Sequence, residues 1–254
     1  MIELYHGDCL EIMTTISDKS IDMILCDLPY GTTACKWDVI IPFEPLWKEY
    51  KRIIKSGGAI VMFGSEPFSS YLRMSNIKQF KYDWIWYKNK SGNCFMYKIS
   101  PMKRTETISV FNNIAHMPQN KDKITFNTNA VKCDTLMKTV KKKEGVQNGG
   151  NRKDSSYKKY IGNTGYDDNL LSYNVDPNRH HPTQKPVALL EYLIKTYTLE
   201  NETILDNCMG SGSTGVACIN TNRNFIGIEK EENYFQIAQK RINEAIEQKQ
   251  SELF

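Results

Sequence analysis

Short runs rich in β-branched and aromatic residues alternate with helical patterns at both ends of the chain, and that alternation restricts the fold more than any single motif does. Near the start, "MIELYHGD" reads as a strand ending at Gly7-Asp8, "CLEIMTTI" as a short helix and "SIDMILCD" as a second strand. "PFEPLWKEYKRIIK" follows as an amphipathic helix expected to close at Gly57-Gly58, and "AIVMFG", "YDWIWYK" and "TETISVF" read as strands. Toward the other end come helix "KPVALLEYLIKTYT" with Pro186 near its first turn, strand "TILDNC", helix "STGVACIN", strand "NFIGIE" and a final helix from about Asn233. Such alternation predicts a mostly parallel sheet covered by helices. Residues 113–179 break the pattern: rich in Asn, Lys, Gly, Ser and Tyr, with little hydrophobic period, they read as an irregular insertion with long loops. The expected organisation is one α/β domain from residues 1–112 and 180–254, carrying 113–179 as an insert.

Composition narrows the setting. The chain has 254 residues, enough for one substantial core, and its formal net charge of +4 is too mild to argue for a nucleic-acid partner without regard to where the charges fall. Its seven cysteines are odd in number, scattered and free of any C-x-x-C pair, which speaks against a disulfide scaffold or a zinc site. "MIELYHGDCLEIM" carries acids where a signal peptide needs a basic and then an apolar region, and no apolar run approaches membrane-spanning length. A cytoplasmic protein with no membrane partner is expected.

"LDNCMGSGSTG" places Gly210, Gly212 and Gly215 in G-x-G-x-x-G spacing between a strand and a helix, and Glu229 closes the next strand. The glycines permit a tight turn and close backbone approach to a ligand, and an acid at that distance can accept bonds from ribose hydroxyls. A nicotinamide dinucleotide is the obvious candidate, and Asp206 argues against it. A carboxylate beside the loop repels a diphosphate but suits a cofactor bearing an ammonium and a sulfonium, as S-adenosylmethionine does.

"ILCDLPYGTTACKWD" ends an apolar run with an acid, a proline and an aromatic. Alone, such a turn is commonly just a strand cap. Beside a methyl donor it has the parts of a clamp for an extruded base. An exocyclic amine of adenine or cytosine is a poor nucleophile because its lone pair is delocalised into the ring. Acceptors on its hydrogens, the Asp27 carboxylate and the Leu28 carbonyl, can localise that pair as the methyl arrives. Tyr30 can stack on the base, which must leave the duplex to arrive there.

"DLPY", "HPTQKP" at residues 181–186 and "DNCMGSGSTG", with "GDC" at residues 7–9, resemble the motifs of the amino-group DNA methyltransferases in the permuted β-type order. The resemblance covers about residues 4–112 and 180–245, and it implies a Rossmann-like S-adenosylmethionine-dependent fold with circularly permuted motif order. Residue by residue it implies that Asp27, Leu28, Pro29 and Tyr30 carry the chemistry. Asp206, Gly210 and Gly212 would line the methionine part of the cofactor, Glu229 its ribose and Asp8 its adenine amine. Thr183 and Lys185 would lie near its carboxylate, which the charge of Lys185 also suits. Leu28 stands where the family usually has proline; its carbonyl survives, and Pro29 still biases it toward an extended backbone. Asp at the first motif position, in this order, resembles the adenine-N6 enzymes more than the cytosine-N4 ones, which remain the alternative.

The other classes fare worse. A cytosine C5 enzyme needs a cysteine after a proline, and the chain has no Pro-Cys. His180 and His181 lack partners at metal spacing, and the proposed transfer needs no metal. A nicotinamide enzyme or an inactive nucleic-acid-binding relic stays open until methyl transfer is measured. Within the polar middle, Lys138, Lys141, Lys142, Lys143, Arg152, Lys153, Lys158 and Lys159 face only Glu144 and Asp154 in the same span. With Tyr157, Tyr160 and several Asn and Gln, the segment is expected to bind double-stranded DNA and recognise the target, with Lys36 joining it near the corner. A homodimer and a cognate restriction endonuclease complete the expected partners.

Overall fold

In the computed structural model, residues 1–31, 38–92, 97–114, 125–127, 169–176 and 184–251 are described. Eight strands form one sheet: β1 (Ile2–His6), β2 (Ile21–Cys26), β3 (Ile54–Gly64), β4 (Phe80–Gly92), β5 (Lys103–Phe111), β6 (Leu170–Ser172), β7 (Thr203–Asp206) and β8 (Asn224–Glu229). Six helices accompany them: α1 (Cys9–Met13), α2 (Phe43–Ile53), α3 (Phe68–Ser75), α4 (Val187–Tyr197), α5 (Ser213–Asn220) and α6 (Glu232–Ser251). The strand order is β1-β8-β7-β2-β3-β5-β4-β6. Only β5 runs antiparallel to its neighbours β3 and β4; every other pairing is parallel. The arrangement is Rossmann-like. No described helix is long and apolar enough to cross a membrane.

The period of two along the strands divides the core between the faces of the sheet. Met23 and Leu25 of β2 join Val61 and Phe63 of β3 in a cluster closed by Leu189, Leu193 and Ile194 of α4, Ala217 of α5 and Ile242 of α6. Ile24, Cys26, Ile60 and Met62 point the other way and pack with Met13, Leu46, Tyr50 and Leu72 of α1, α2 and α3. A strand covered on both sides has little use for a polar face, which is why β2 and β3 read as continuous apolar runs.

Three elements differ from the sequence reading. The second helix ends at Ile53 and passes directly into β3, so Gly57-Gly58 do not close it. They occupy an irregularity of β3, where the register jumps from Ile21↔Ile54 to Met23↔Ala59, and Asn112 Nδ2 donates to both of their carbonyls. Helix α3 gives little sequence signal, with three serines in eight residues, and is held by burial of Phe68, Ser69 and Leu72. Strand β6, within the stretch expected to be irregular, pairs with Ile85–Tyr87 of β4 and buries Leu171. Farther back in that stretch, Asn127 donates to the carbonyls of Thr196, Lys195 and Thr198 at the end of α4, and Phe126 stacks on Trp84.

The two halves of the chain meet between β2 and β7, paired through Met23↔Ile204 and Ile24↔Leu205. From that seam the chain builds outward through β3 on one side and β8 on the other. This is the switch point of an open α/β sheet, where a crevice opens beyond the carboxyl ends of the strands. Strand β1, although N-terminal, lies on the far side of β8 and delivers Asp8 to the C-terminal half.

Candidate active site

The ends of β2, β7 and β8 and the turn after β1 line one cavity of about 340 Å³, within the usual range for small-molecule sites. Asp27, Leu28, Pro29 and Tyr30 line it after β2, Asp206, Cys208, Gly210 and Thr214 at and after the end of β7, and Glu229 at the end of β8, with Asp8 and Lys185 also lining it. Residues about 180 positions apart in sequence therefore share a single pocket because their strands are neighbours.

The glycine loop is held by its surroundings. Gly212 sits at φ +76°, a left-handed conformation that glycine adopts without a side-chain penalty, and it precedes α5. It lies between Ser211 and Ser213, which line the cavity, and an added Cβ would lie 2.9 Å from that of Ala238, so its missing side chain also lets α6 approach. Gly215 serves the packing of α5: a Cβ there would be 2.5 Å from Ile242 and 2.9 Å from Phe225. Gly210, which does line the cavity, donates its N–H to Glu229 Oε2 at 2.8 Å, and Glu231 N–H donates to Oε1 at 2.9 Å. Burial nevertheless holds the Glu229 carboxyl above its usual range.

Asp206 is 4 % exposed. Thr214 Oγ1 donates to its Oδ2 at 2.6 Å and the Cys208 N–H to its Oδ1 at 3.1 Å, yet burial outweighs both and pushes its pKa up to about 7. Among the described residues no cation lies at ion-pair distance from Asp206 or Glu229. A cavity lining that holds buried Asp206 and half-buried Glu229, with no ion-paired cation on either among the described residues, fits a cationic ligand better than a diphosphate. Asp8 caps α1, accepting from Leu10 N–H at 2.9 Å, and meets Lys230 at 3.1 Å. Burial raises its carboxyl, but these partners bring it below the ordinary range.

At the end of β2, Asp27 is engaged on both oxygens, by Tyr30 Oη at 2.5 Å and Lys185 Nζ at 2.5 Å. Burial raises its carboxyl despite the nearby ammonium. Tyr30 stacks on Phe68, 4.8 Å between centroids, and Gly31 N–H donates to Asp38 at 2.8 Å, which fixes the corner. The Leu28 side chain is 3 % exposed and packs in the α1–α3 cluster, so a large apolar residue has a structural reason to stand there. The thiol of Cys26 beneath the corner is pushed up to about 12, first by burial, which disfavours a thiolate nucleophile.

Lys185 lines the cavity, and in the ligand-free protein its buried ammonium pairs with Asp27 and lies 3.6 Å from Glu106 Oε2, so two half-buried acids share its charge. Sequence reasoning missed Glu106. No motif surrounds it, and it reaches the site only because β5 runs antiparallel beside β3, with Thr107 opposite Gly64. Thr183, Lys36, Lys141, Lys142, Lys143, Arg152 and Lys153 lie outside the described residues.

Residues 21–240 match the protein family described as DNA methylase. Type II methyltransferase M.HinfI of Haemophilus influenzae is 30% identical, over 95% of this chain and 68% of that protein. DNA adenine methyltransferase YhdJ of Escherichia coli strain K12 is 28% identical, over 95% and 83%. Among solved structures, an M1.HpyAVI–SAM complex superimposes with a TM-score of 0.62 at 28% identity, covering 95% of this chain and all of that one. PvuII DNA methyltransferase, described as cytosine-N4-specific, gives 0.66 at 14% identity over 97% and 91%, which shows a shared fold. The fold is thus that of the S-adenosylmethionine-dependent methyltransferases, and S-adenosylmethionine is the cofactor that the acid-walled cavity accommodates. With the paired acids of β2 and β7 at one crevice and a family match reaching from β2 into α6, the chain belongs to the DNA methylase family.

Proposed function

We propose that the protein methylates the exocyclic N6 amine of a specific adenine flipped out of double-stranded DNA, by direct transfer without a covalent intermediate. The observation that carries this reading is that Asp27 and Asp206 end neighbouring strands and face one cavity. A base clamp and a cation-binding wall within one pocket are what amine methylation requires.

S-adenosylmethionine supplies the methyl group on a positively charged sulfonium. Asp206 and Glu229 would hold its cationic and ribose portions, Gly210 lets the backbone approach, and Asp8 would accept from its adenine amine. Asp27 and the Leu28 carbonyl accept from the two hydrogens of the target amine and turn its lone pair toward the incoming methyl. Tyr30, braced by its stack on Phe68, would meet the base with its ring. The high pKa of Cys26 supports transfer without a thiol intermediate.

Adenine is favoured over cytosine by the Asp-led motif and by the similarity to YhdJ, a DNA adenine methyltransferase. Residues 1–112 and 180–254 would form the catalytic domain. Because Phe126, Asn127 and Leu171 pack with the sheet and α4, the target-recognition insert would be narrower than 113–179. Lys36, Lys141, Lys142, Lys143, Arg152 and Lys153 are assigned to DNA. The Type II names of M.HinfI and other relatives support a cognate restriction endonuclease, and a cytoplasmic location follows from a DNA substrate. A homodimer, tested by sedimentation, belongs to the same reading.

The test is incubation of the protein with methyl-labelled S-adenosylmethionine and duplex DNA, followed by nucleoside analysis and mapping of the modified site. N6-methyladenine in one sequence context is expected. N4-methylcytosine would transfer the assignment to the alternative, and no transfer with tight nicotinamide binding would overturn it.

A further inference from the structure

Asp27 is not the only carboxylate at the corner. Glu106 of β5 faces it across Lys185, whose Nζ is 2.5 Å from Asp27 Oδ2 and 3.6 Å from Glu106 Oε2. Glu106 Oε1 accepts from Lys88 Nζ, whereas Oε2 is buried and accepts no hydrogen bond among the described residues. Lys88, Glu106, Lys185 and Asp27 thus form a line of alternating charge, two cations and two anions, ending on the residue that meets the target amine.

The reaction makes a demand on that line. As the amine nitrogen uses its lone pair to form the new N–C bond, the S–C bond breaks with its electrons left on sulfur. The nitrogen becomes positive until one of its protons leaves to solvent. An ammonium held on Asp27 Oδ2 repels that growing charge and competes for the same lone pairs. Glu106 Oε2 offers a second berth about 1 Å farther from Nζ than a hydrogen bond requires, a shift within the reach of a lysine side chain. Once the amine supplies Asp27 with a donor, the move shortens the 3.6 Å ion pair to a hydrogen bond on a buried oxygen that otherwise accepts none within bonding distance.

We propose that Glu106 is a positioning residue for methyl transfer: it takes up Lys185 when the target amine docks and so leaves Asp27 Oδ2 to the amine. The inference rests on Asp27 as amine acceptor. The titratable groups facing Asp27 are Lys185 before α4, Glu106 on β5, Tyr30 in the corner, Cys26 at the end of β2 and Asp206 at the end of β7.

The test compares Glu106→Gln, Lys185→Met, the double variant and Asp27→Asn, measuring kcat against pH, cofactor affinity by calorimetry and DNA KM. Glu106→Gln keeps shape and removes the second berth. Its kcat should fall at least 10-fold, with cofactor affinity and DNA KM within 2-fold of the unaltered protein. Its acid limb should move to lower pH, because a negative charge that raises Asp27 is gone. Carbon-13 carboxyl NMR of the cofactor-free variant should show the same downward shift of Asp27. Lys185→Met leaves two acids without the cation between them and should move the limb upward. The double variant restores the charge balance and should be at least 5-fold more active at pH 7 than Lys185→Met alone. Unchanged kcat in Glu106→Gln, or losses that multiply in the double variant, would overturn the proposal while inactive Asp27→Asn preserved the reading beneath it. Near-normal turnover of Asp27→Asn would overturn both.

Discussion

Cofactor affinity should depend on pH through Asp206, with a sign and size that follow from its burial. In the cofactor-free protein this carboxyl titrates near pH 7, because desolvation outweighs the bonds from Thr214 and Cys208. A cationic ligand favours the ionised form, so binding must expel the proton wherever the free protein carries one. With a free-state pKa of about 7 and a cationic ligand that holds the carboxylate ionised, the ionised fraction rises from about 1 % at pH 5 to about half at pH 7, and affinity should rise by up to about 50-fold. Above pH 7 the gain levels off, and affinity should fall once the ligand's own α-amino group deprotonates near pH 8. Glu229, also raised by burial, adds a smaller slope at lower pH. Calorimetry in two buffers of different ionisation enthalpy counts the protons directly. Near pH 6 about one proton should leave per cofactor bound, and Asp206→Asn should bind weakly and release at most the fraction due to Glu229. The stability of the cofactor-free protein runs in the opposite sense. A carboxyl raised above its unfolded value of about 3.9 favours folding below that pH and loses the benefit as pH rises toward 7. Asp206→Asn should therefore flatten the decline in Tm between pH 4 and 7. Proton release near zero, or an unchanged affinity slope in Asp206→Asn, would refute the reasoning.

Other perturbations separate chemistry, packing and recognition. Asp27→Asn should bind cofactor within a few-fold of normal and lose at least 100-fold in kcat, since its wall meets the amine; calorimetry beside single-turnover transfer checks it. Gly215→Ala should destabilise by about 1–3 kcal/mol, because the new methyl would lie 2.5 Å from Ile242 and 2.9 Å from Phe225. Ile242→Ala in the same chain should recover part of that loss in urea unfolding, whereas additive losses would mean that the clash is not the cause. Neutralising Lys141, Lys142 and Lys143 together should lower DNA affinity and flatten its salt dependence by up to about 3 in slope, with cofactor binding unchanged. An unchanged slope would remove those residues from the DNA interface.

What the sequence disclosed depended on whether a residue's role was local or arose from pairing across the sheet. Elements with their own period and punctuation were legible: β2 and β3 as apolar runs, α4 from its stripe behind Pro186, and the glycine turn between β7 and α5. The acids at strand ends were legible too, because a carboxylate that closes a hydrophobic strand needs a reason to be there. Helix α3 and strand β6 were hidden, the first by serines and the second by its three residues at the sheet edge, and both owe their order to burial of Leu72 and Leu171.

The hidden parts of the site follow the same rule. Gly212 permits close approach, and in the fold one such approach is by Ala238 of α6, a demand that the spacing of the loop does not reveal. Lys185 was legible as a cation near an anion, yet the anion was a matter of topology. Strands β5 and β3 must run antiparallel, and β2 beside them, before Glu106, Lys185 and Asp27 converge. The same topology explains why the permuted motif order costs the site nothing. Both walls hang from strand ends at the seam between β2 and β7, and that seam is made by backbone pairing that is indifferent to which half is synthesised first. What the order does fix is the route between the halves. In sequence it runs from β5 to α4 through the lysine-rich stretch. Asn127 bonds to the end of α4 and β6 pairs with β4, so the residues on either side of that stretch belong to the one domain, and sequence can vary between them while Asp27 and Asp206 remain on their strands.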